Sequence, residues 1–365
     1  HGRKYKSWKL AHIITLFIHI INSILIYLAF GHNTVSFLAA ILFSVNPINN
    51  QGSIWISGKG YSTNTLCALL MWMFPAWSVI PYLFGTYFSG ASLVFFPLIF
   101  LFTKHWYLAF LVIWGMSREW GRIFNKTDPQ SKFNTESNVE LLARKPRKLI
   151  IFFKSYAYYF VNAISARILG FYHQYLFLHG VNAEENRKSY KLDGYFWLGI
   201  LLLGLTLYTS EVGLLWFFIS IMIWCNFMTF NQTLANRYIY MANIGLMLTL
   251  AKILIHLPIL AIIIITYYIT KLLFFIVFYK NEYWSIEYAL FEQPDFFYLW
   301  QNRGVYCFQN NNYHGALGNF NKANELRPND WKILYNICQI YLLLGNLKVA
   351  KDYYEQASKC NIDGR

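Results

Sequence analysis

Long apolar runs separated by short polar stretches make up most of the chain. They cover residues 10–30, 35–45, 65–83, 87–114, 149–168, 195–208, 212–230, 238–257 and 259–279. A helix crosses a bilayer in about 20 apolar residues. The pattern therefore predicts an all-α polytopic membrane domain over residues 1–284, with about 8–10 membrane segments. His12, His19 and Asn22 interrupt the first run. His12 and His19 are seven residues apart and share a helix face, the face expected to meet protein rather than lipid. A polar, glycine-punctuated island, residues 45–60, separates the second run from the third. Pro47 ends a helix there, and Gly52, Gly58 and Gly60 permit turns. Irregular backbone beside a membrane is tolerated where it is buried in protein or lines a wet cavity. This island is read either as an interfacial loop or as the floor of a substrate cavity.

Residues 117–148 change character: basic residues such as Arg118, Arg122, Arg144 and Lys148 outnumber the acidic ones. This predicts a basic soluble loop on the cytoplasmic side. After residue 285 the pattern becomes that of paired amphipathic helices repeating every 34 residues. Trp300, Gly304, Ala316, Phe320 and Ala323 are followed by Leu334, Cys338, Ala350, Tyr354 and Ala357. Small residues at such positions let the two helices of a repeat approach, and aromatics fill the gap between them. Two tetratricopeptide repeats are expected, at about 297–330 and 331–364, forming a C-terminal α-solenoid domain over 285–365.

Composition sharpens the membrane reading. The chain of 365 residues is 56% hydrophobic, 20% aromatic and 13% charged, with mean hydropathy +0.33; soluble domains carry about 25% charged residues. The net charge of +14 points to anionic lipid headgroups. The basic residues form no compact patch on a soluble domain, so nucleic acid is not an expected partner. The five cysteines show no CxxC spacing, so neither a metal site nor a disulfide framework is expected.

Four blocks carry a resemblance. Phe43-Ser44-Val45-Asn46-Pro47-Ile48-Asn49 runs into Trp55-Ile56-Ser57-Gly58-Lys59-Gly60. Ser89-Gly90-Ala91-Ser92-Leu93-Val94-Phe95-Phe96-Pro97-Leu98 follows, then Gly170-Phe171-Tyr172-His173, then Arg237-Tyr238-Ile239-Tyr240-Met241 with Ile244-Gly245. With the repeats behind them, these blocks resemble, in order, the transmembrane and tetratricopeptide-repeat O-mannosyltransferases and their bacterial relatives. The resemblance implies a multi-pass glycosyltransferase of the bacterial inner membrane or endoplasmic reticulum. It would transfer a sugar from a polyprenyl-phosphate donor to a protein or glycan acceptor. It also implies that residues 46–60 and the repeats face the extracytoplasmic side.

The departures remove charge. There is no Asp or Glu among residues 1–118. The acidic catalytic motif of the family precedes the matched region, so in an active enzyme it is expected upstream of His1, and no catalytic residue is assigned here. Asn46 stands at a family His, Gln51 and Asn236 at family Glu positions, and Gly90-Ala91 at a Lys-Glu pair. Two readings stay open: an active transferase, or a catalytically inactive relative serving as a membrane scaffold or assembly subunit that docks a protein through its repeats. A transporter is disfavoured by the scarcity of membrane carboxylates. Under the transferase reading, Lys59 and Arg237 are the expected contacts to the donor phosphate. Asn46, Asn49, Gln51, Trp55, His173, Tyr238 and Tyr240 are the expected cavity residues. Anchoring cations, interfacial aromatic belts and helix capping account for the same residue types.

Overall fold

The computed structural model describes residues 2–53, 59–89, 91–124, 145–167, 192–225, 235–279 and 281–363, and the regular elements among them are all helical. They cluster into two compact units, one drawn from residues 1–169 and 188–274, the other containing 275–365.

The first unit is built from α1 (Gly2–Ala29), α2 (Thr34–Val45), the short α3 (Asn50–Ser53), α4 (Lys59–Met73), α5 (Val79–Ser89), α6 (Leu111–Phe124), α7 (Lys145–Ser165), α8 (Gly194–Thr209), α9 (Val212–Ile221), α10 (Ile239–Leu254) and, as far as residue 274, α11 (Pro258–Tyr279). Local sequence sets the boundaries. Asn33 and Ser36 form a reciprocal cap at the start of α2, satisfying donors that a helix N-terminus leaves orphaned. Asp193 and Glu211 cap α8 and α9 through the backbone N–H groups of Phe196 and Leu214. Two helices cross at glycines: a Cβ on Gly245 of α10 would stand 2.2 Å from the Gly213 carbonyl of α9. An aromatic core of Phe30, Trp72, Phe96, Phe100 and Trp216 joins the turn after α1, α4 and α9 to a 3-10 stretch, Phe96–Phe102. The Trp216 indole donates to the Met241 carbonyl at 2.9 Å.

Among the described residues, two helices are long and apolar enough to cross a membrane, Leu10–Ala29 and Pro258–Val277. Apolar side chains such as Ile13, Phe17, Ile24, Ile259, Ile263 and Leu273 are exposed along them. The other apolar helices described, such as Thr34–Val45 and Gly194–Thr209, have 10–17 residues, so two segments, against the about 8–10 expected, reach the length of a full span. The 65–83 run is not one helix, because Pro75 ends α4 and a 3-10 turn, Pro75–Trp77, leads into α5. The 87–114 run, in which Pro97 leads one to expect two short pieces or a kinked helix, divides into 3-10 pieces around that proline, and α6 begins only at Leu111. The basic stretch 117–148 is not loop throughout: α6 continues to Phe124 and α7 starts at Lys145.

The second unit contains α12 (Glu282–Glu292) followed by two antiparallel hairpins, α13 (Phe297–Gln309) with α14 (Tyr313–Leu326), and α15 (Trp331–Leu343) with α16 (Leu347–Asp363). Ala316, Phe320 and Ala323 are buried against Ile333, Ile337 and Ile340, with Trp300 packed beside them. Gly304 lets Phe320 in: a Cβ there would stand 2.8 Å from its ring. The turns use left-handed residues, Asn311 and Asn329 inside and before the hairpins and Gly345 in the second, where asparagine and glycine carry the least strain. Leu334, Cys338, Ala350 and Ala357 are buried as their spacing predicts, but Tyr354 is exposed. Phe320 is enclosed by α15; no described helix follows α16 to enclose Tyr354.

Candidate functional site

The island that interrupts the apolar pattern becomes a buried polar layer. Pro47 cannot extend α2, so the chain turns there, with Asn46 accepting from the Ile48 N–H at 3.0 Å and a 3-10 turn, Pro47–Asn49, leading into α3. Asn46, Asn49, Asn50, Gln51 and Ser53 are all buried, as are Asn236 and Asn243 of the segment that opens α10. Side chains distant in sequence meet in this layer. The Asn243 amide donates to Asn49 Oδ1 at 3.1 Å across 194 residues, and the Arg237 N–H donates to Gln51 Oε1 at 3.3 Å. Asn162 of α7 donates to Asn236 Oδ1 at 2.9 Å, and Asn46 donates to the Ala163 carbonyl at 2.9 Å. Asn49 also donates to the Phe43 carbonyl at 2.7 Å. Polar groups out of water need such partners, and here the carboxamides largely supply one another and the helix ends.

Tyr240 is the pivot. Its ring lies over Gly52, where a Cβ would stand 2.2 Å from it. Its hydroxyl is 2.6 Å from His19 Nδ1, and His19 Nε2 is 3.2 Å from the Ser44 carbonyl. A carbonyl only accepts, so Nε2 carries hydrogen; in the neutral ring Nδ1 then accepts from the tyrosine. Asn22, one turn on from His19, donates to the Ser62 carbonyl of α4 at 2.9 Å.

Arg237 is partly buried at the edge of this layer. Its guanidinium lies over the Tyr238 ring, 5.0 Å from the centroid, and faces the Tyr61 side chain from the first turn of α4. Tyr238 stacks on Trp224 at 4.0 Å with the planes 8° apart, and Tyr61 lies against both. A cation walled by aromatic faces and phenol groups suits an anionic headgroup joined to an apolar or sugar moiety.

The sequence-predicted residues divide accordingly. Asn46, Asn49, Gln51, Arg237, Tyr238 and Tyr240 are brought together. Lys59 begins α4 two residues from Tyr61, and its side chain is exposed. Trp55 and His173 lie outside the described residues. Asn46 and Asn49 spend amide N–H on protein carbonyls, and Asn46, Asn49 and Gln51 spend amide oxygens on protein donors. Tyr61, Trp224, Asn162 and Asn243 belong to the same layer without having been singled out. For Asn243 the signal was available: a carboxamide within an apolar run marks a protein-facing position. No group of three or more His, Cys, Asp or Glu among the described residues is placed to hold a metal ion. Comparison with known protein families, with curated proteins and with solved structures found no match.

Proposed function

We propose that this chain is a glycosyltransferase-like multi-pass membrane protein that binds a polyprenyl-phosphate-linked sugar, with Arg237 and Lys59 on the phosphate and Tyr61, Tyr238 and Trp224 on the sugar or prenyl portion. One observation carries the reading: the 46–52 and 236–243 segments, which resemble separate blocks of the same transferase family, meet through Gln51–Arg237, Asn49–Asn243 and Gly52–Tyr240. The order of blocks along the chain and their convergence in space are independent of each other. The helical hairpins of residues 297–363 support a tetratricopeptide-type docking arm for a protein partner or acceptor.

Sugar transfer needs a carboxylate to activate the acceptor hydroxyl. Residues 1–118 contain none. Glu211 is committed to α9 and Lys252, and Asp193 to α8 and Lys154. One observation favours the second reading, a catalytically inactive scaffold that retains donor binding: among the described residues, most side chains of the polar layer are carboxamides bonded to the protein itself. The two readings separate experimentally. Purified protein in nanodiscs is titrated with a polyprenyl-phosphate sugar, and release of the sugar to acceptor peptides or glycans is followed in parallel. Both readings expect binding, with Arg237→Gln weakening it about tenfold, the loss of one charge-assisted contact of about 1.5 kcal/mol. Transfer supports the enzyme, and binding without transfer supports the scaffold. Absence of binding by folded wild-type protein would overturn both.

A further inference from the structure

The helix that introduces the repeats carries an inference of its own. The second unit begins inside α11, at Phe275, just before the long apolar stretch Pro258–Val277 ends. Two residues separate α11 from α12. Phe275 is buried, and its ring centre lies 5.2 Å from that of Tyr288, in the middle of α12. If α12 continued the line of α11, the thirteen residues from Phe275 to Tyr288 would set their backbones about 20 Å apart. Two aromatic side chains do not bridge that gap with their rings in contact. The chain therefore bends between the helices, and α12 lies beside the last turns of α11, at the level where its apolar stretch ends.

Two faces of α12 differ in what they meet. On one, Ile286, Ala289 and Leu290 are buried together with Phe296 and Leu299 of the first repeat hairpin. Glu287 pairs with Arg303 of α13 at 2.7 Å, and the Tyr283 ring meets that of Tyr306 at 5.4 Å. These contacts fix α12 to the repeats. On the other face stand Trp284 and Phe291, seven residues apart and so aligned, 51% and 84% exposed. Tyr288 lies one turn from each of them, so the exposed stripe adjoins the side of α12 that meets α11. Large apolar rings so exposed need a cover. Aromatic side chains favour the headgroup level of a bilayer, and that is the level at which the end of α11 holds this helix. The charged residues of α12 are Glu282, Glu287 and Glu292, with no lysine or arginine among them. Attraction to anionic headgroups is therefore not what this face offers; apolar insertion is.

Resting on the reading of α11 as a membrane span, we propose that α12 is an interfacial helix whose Trp284 and Phe291 enter the boundary between headgroups and acyl chains. The partner of this surface is the lipid itself. The contact holds the first repeat hairpin against the membrane, so a protein bound by the repeats is met at the membrane surface rather than at the end of a free arm.

The test uses the full chain in phosphatidylcholine liposomes, with Cys307 and Cys360 replaced by serine and a nitroxide attached to one introduced cysteine. Collision of the nitroxide with oxygen, which concentrates in lipid, is compared with collision with a water-soluble nickel chelate. Phe291→Cys is the reporter, and Trp284→Cys is a second one should the first not fold. Ile263→Cys, exposed on α11, is the lipid control, and Asn321→Cys, exposed on α14, is the water control. Insertion by about 5–10 Å, the depth of an interfacial helix, predicts an oxygen-to-nickel ratio at position 291 about tenfold above that at 321. The same ratio is expected after phosphatidylglycerol is added. A ratio at 291 equal to that at 321, with 263 in lipid, would overturn the interfacial helix alone. Water-like ratios at both 263 and 291 would overturn the reading of α11 as well. Access of neither probe to 291 would show a protein contact and overturn lipid as the occupant. Immersion only when the anionic lipid is present would overturn apolar insertion.

Discussion

The contact between Gly52 and Tyr240 ties the first polar island to the start of α10, and its removal has a calculable effect. A methyl added at Gly52 would stand 2.2 Å from Tyr240 Cδ2 and 2.7 Å from Cγ, both inside van der Waals contact. The ring has little room to retreat. Tyr240 is fully buried, its hydroxyl is bonded to His19 at 2.6 Å, and Phe43 meets it edge-on at 5.3 Å. Overpacking of this kind costs about 1–3 kcal/mol. The intrinsic helix preference for alanine over glycine returns at most about 1 kcal/mol, and α3 has only four residues in which to express it. Taking the middle of the first range, about 2 kcal/mol, less a return of at most about 1 kcal/mol, Gly52→Ala is expected to destabilise the protein by about 1–2 kcal/mol. Thermal unfolding of the purified protein in nanodiscs would read this as a fall in Tm of a few degrees, given about 2–4 °C per kcal/mol for chains of 150–250 residues. Tyr240→Leu removes the obstructing ring, so in that background the cost of Gly52→Ala should shrink, giving a coupling of about 1 kcal/mol. The reasoning fails if Gly52→Ala unfolds at or above the wild-type temperature, or if the two substitutions are additive.

Four further outcomes are expected. Gly245→Ala places its Cβ against backbone atoms of Gly213 and Phe217, at 2.2 and 2.7 Å. These cannot rotate away, so its loss of Tm should exceed that of Gly52→Ala. Gly304→Val should selectively lower the unfolding temperature of the second unit, followed by hydrogen exchange of residues 297–326, because Phe320 already fills the space beside it. Tyr240→Phe leaves His19 Nδ1 without its donor and should cost about 1–3 kcal/mol, the penalty for an unsatisfied buried group, whereas the exposed Tyr208→Phe should cost nothing measurable. Burial alone would raise the Glu211 carboxyl, but bonds from Lys252, Thr249 and the Leu214 and Gly213 backbone outweigh it and hold it below its ordinary value. A carboxyl lowered on folding stabilises above its unfolded pKa of about 4.3 and loses that contribution as pH falls through the folded value. The Tm difference between wild type and Glu211→Gln should thus be full at pH 7 and shrink toward the capping component below about pH 4.

Local signals along the chain set much of the secondary structure. Pro47 stops α2 because it has no N–H to donate and blocks the preceding turn. Asn33, Asp193 and Glu211 start helices because their side chains reach orphaned N–H groups. The 34-residue spacing of Gly304, Ala316 and Phe320 against Cys338 and Ala350 was legible because a helical hairpin repeats its contacts at the period of its sequence. Apolar runs were less informative about length: a window of hydrophobic residues reads alike for a full span, a half span and a chain broken at Pro75, since hydropathy carries no information about where a helix ends in depth, whereas the break near Pro97 was legible from the proline.

Tertiary structure alone decided the rest. Asn49 and Asn243, or Gln51 and Arg237, lie nearly two hundred residues apart, and no local pattern pairs them. They meet because the ends of α2 and α7 and the starts of α4 and α10 stop at one level, where each leaves backbone and side-chain polar groups that only another such end can satisfy. Asn46, Asn49 and Gln51 thus bond largely to protein, and Tyr61 and Trp224 join Arg237 as its walls. The sequence by itself determined which polar groups interrupt the apolar runs; the assembled helices determined that these groups meet one another, midway along α1 and α11.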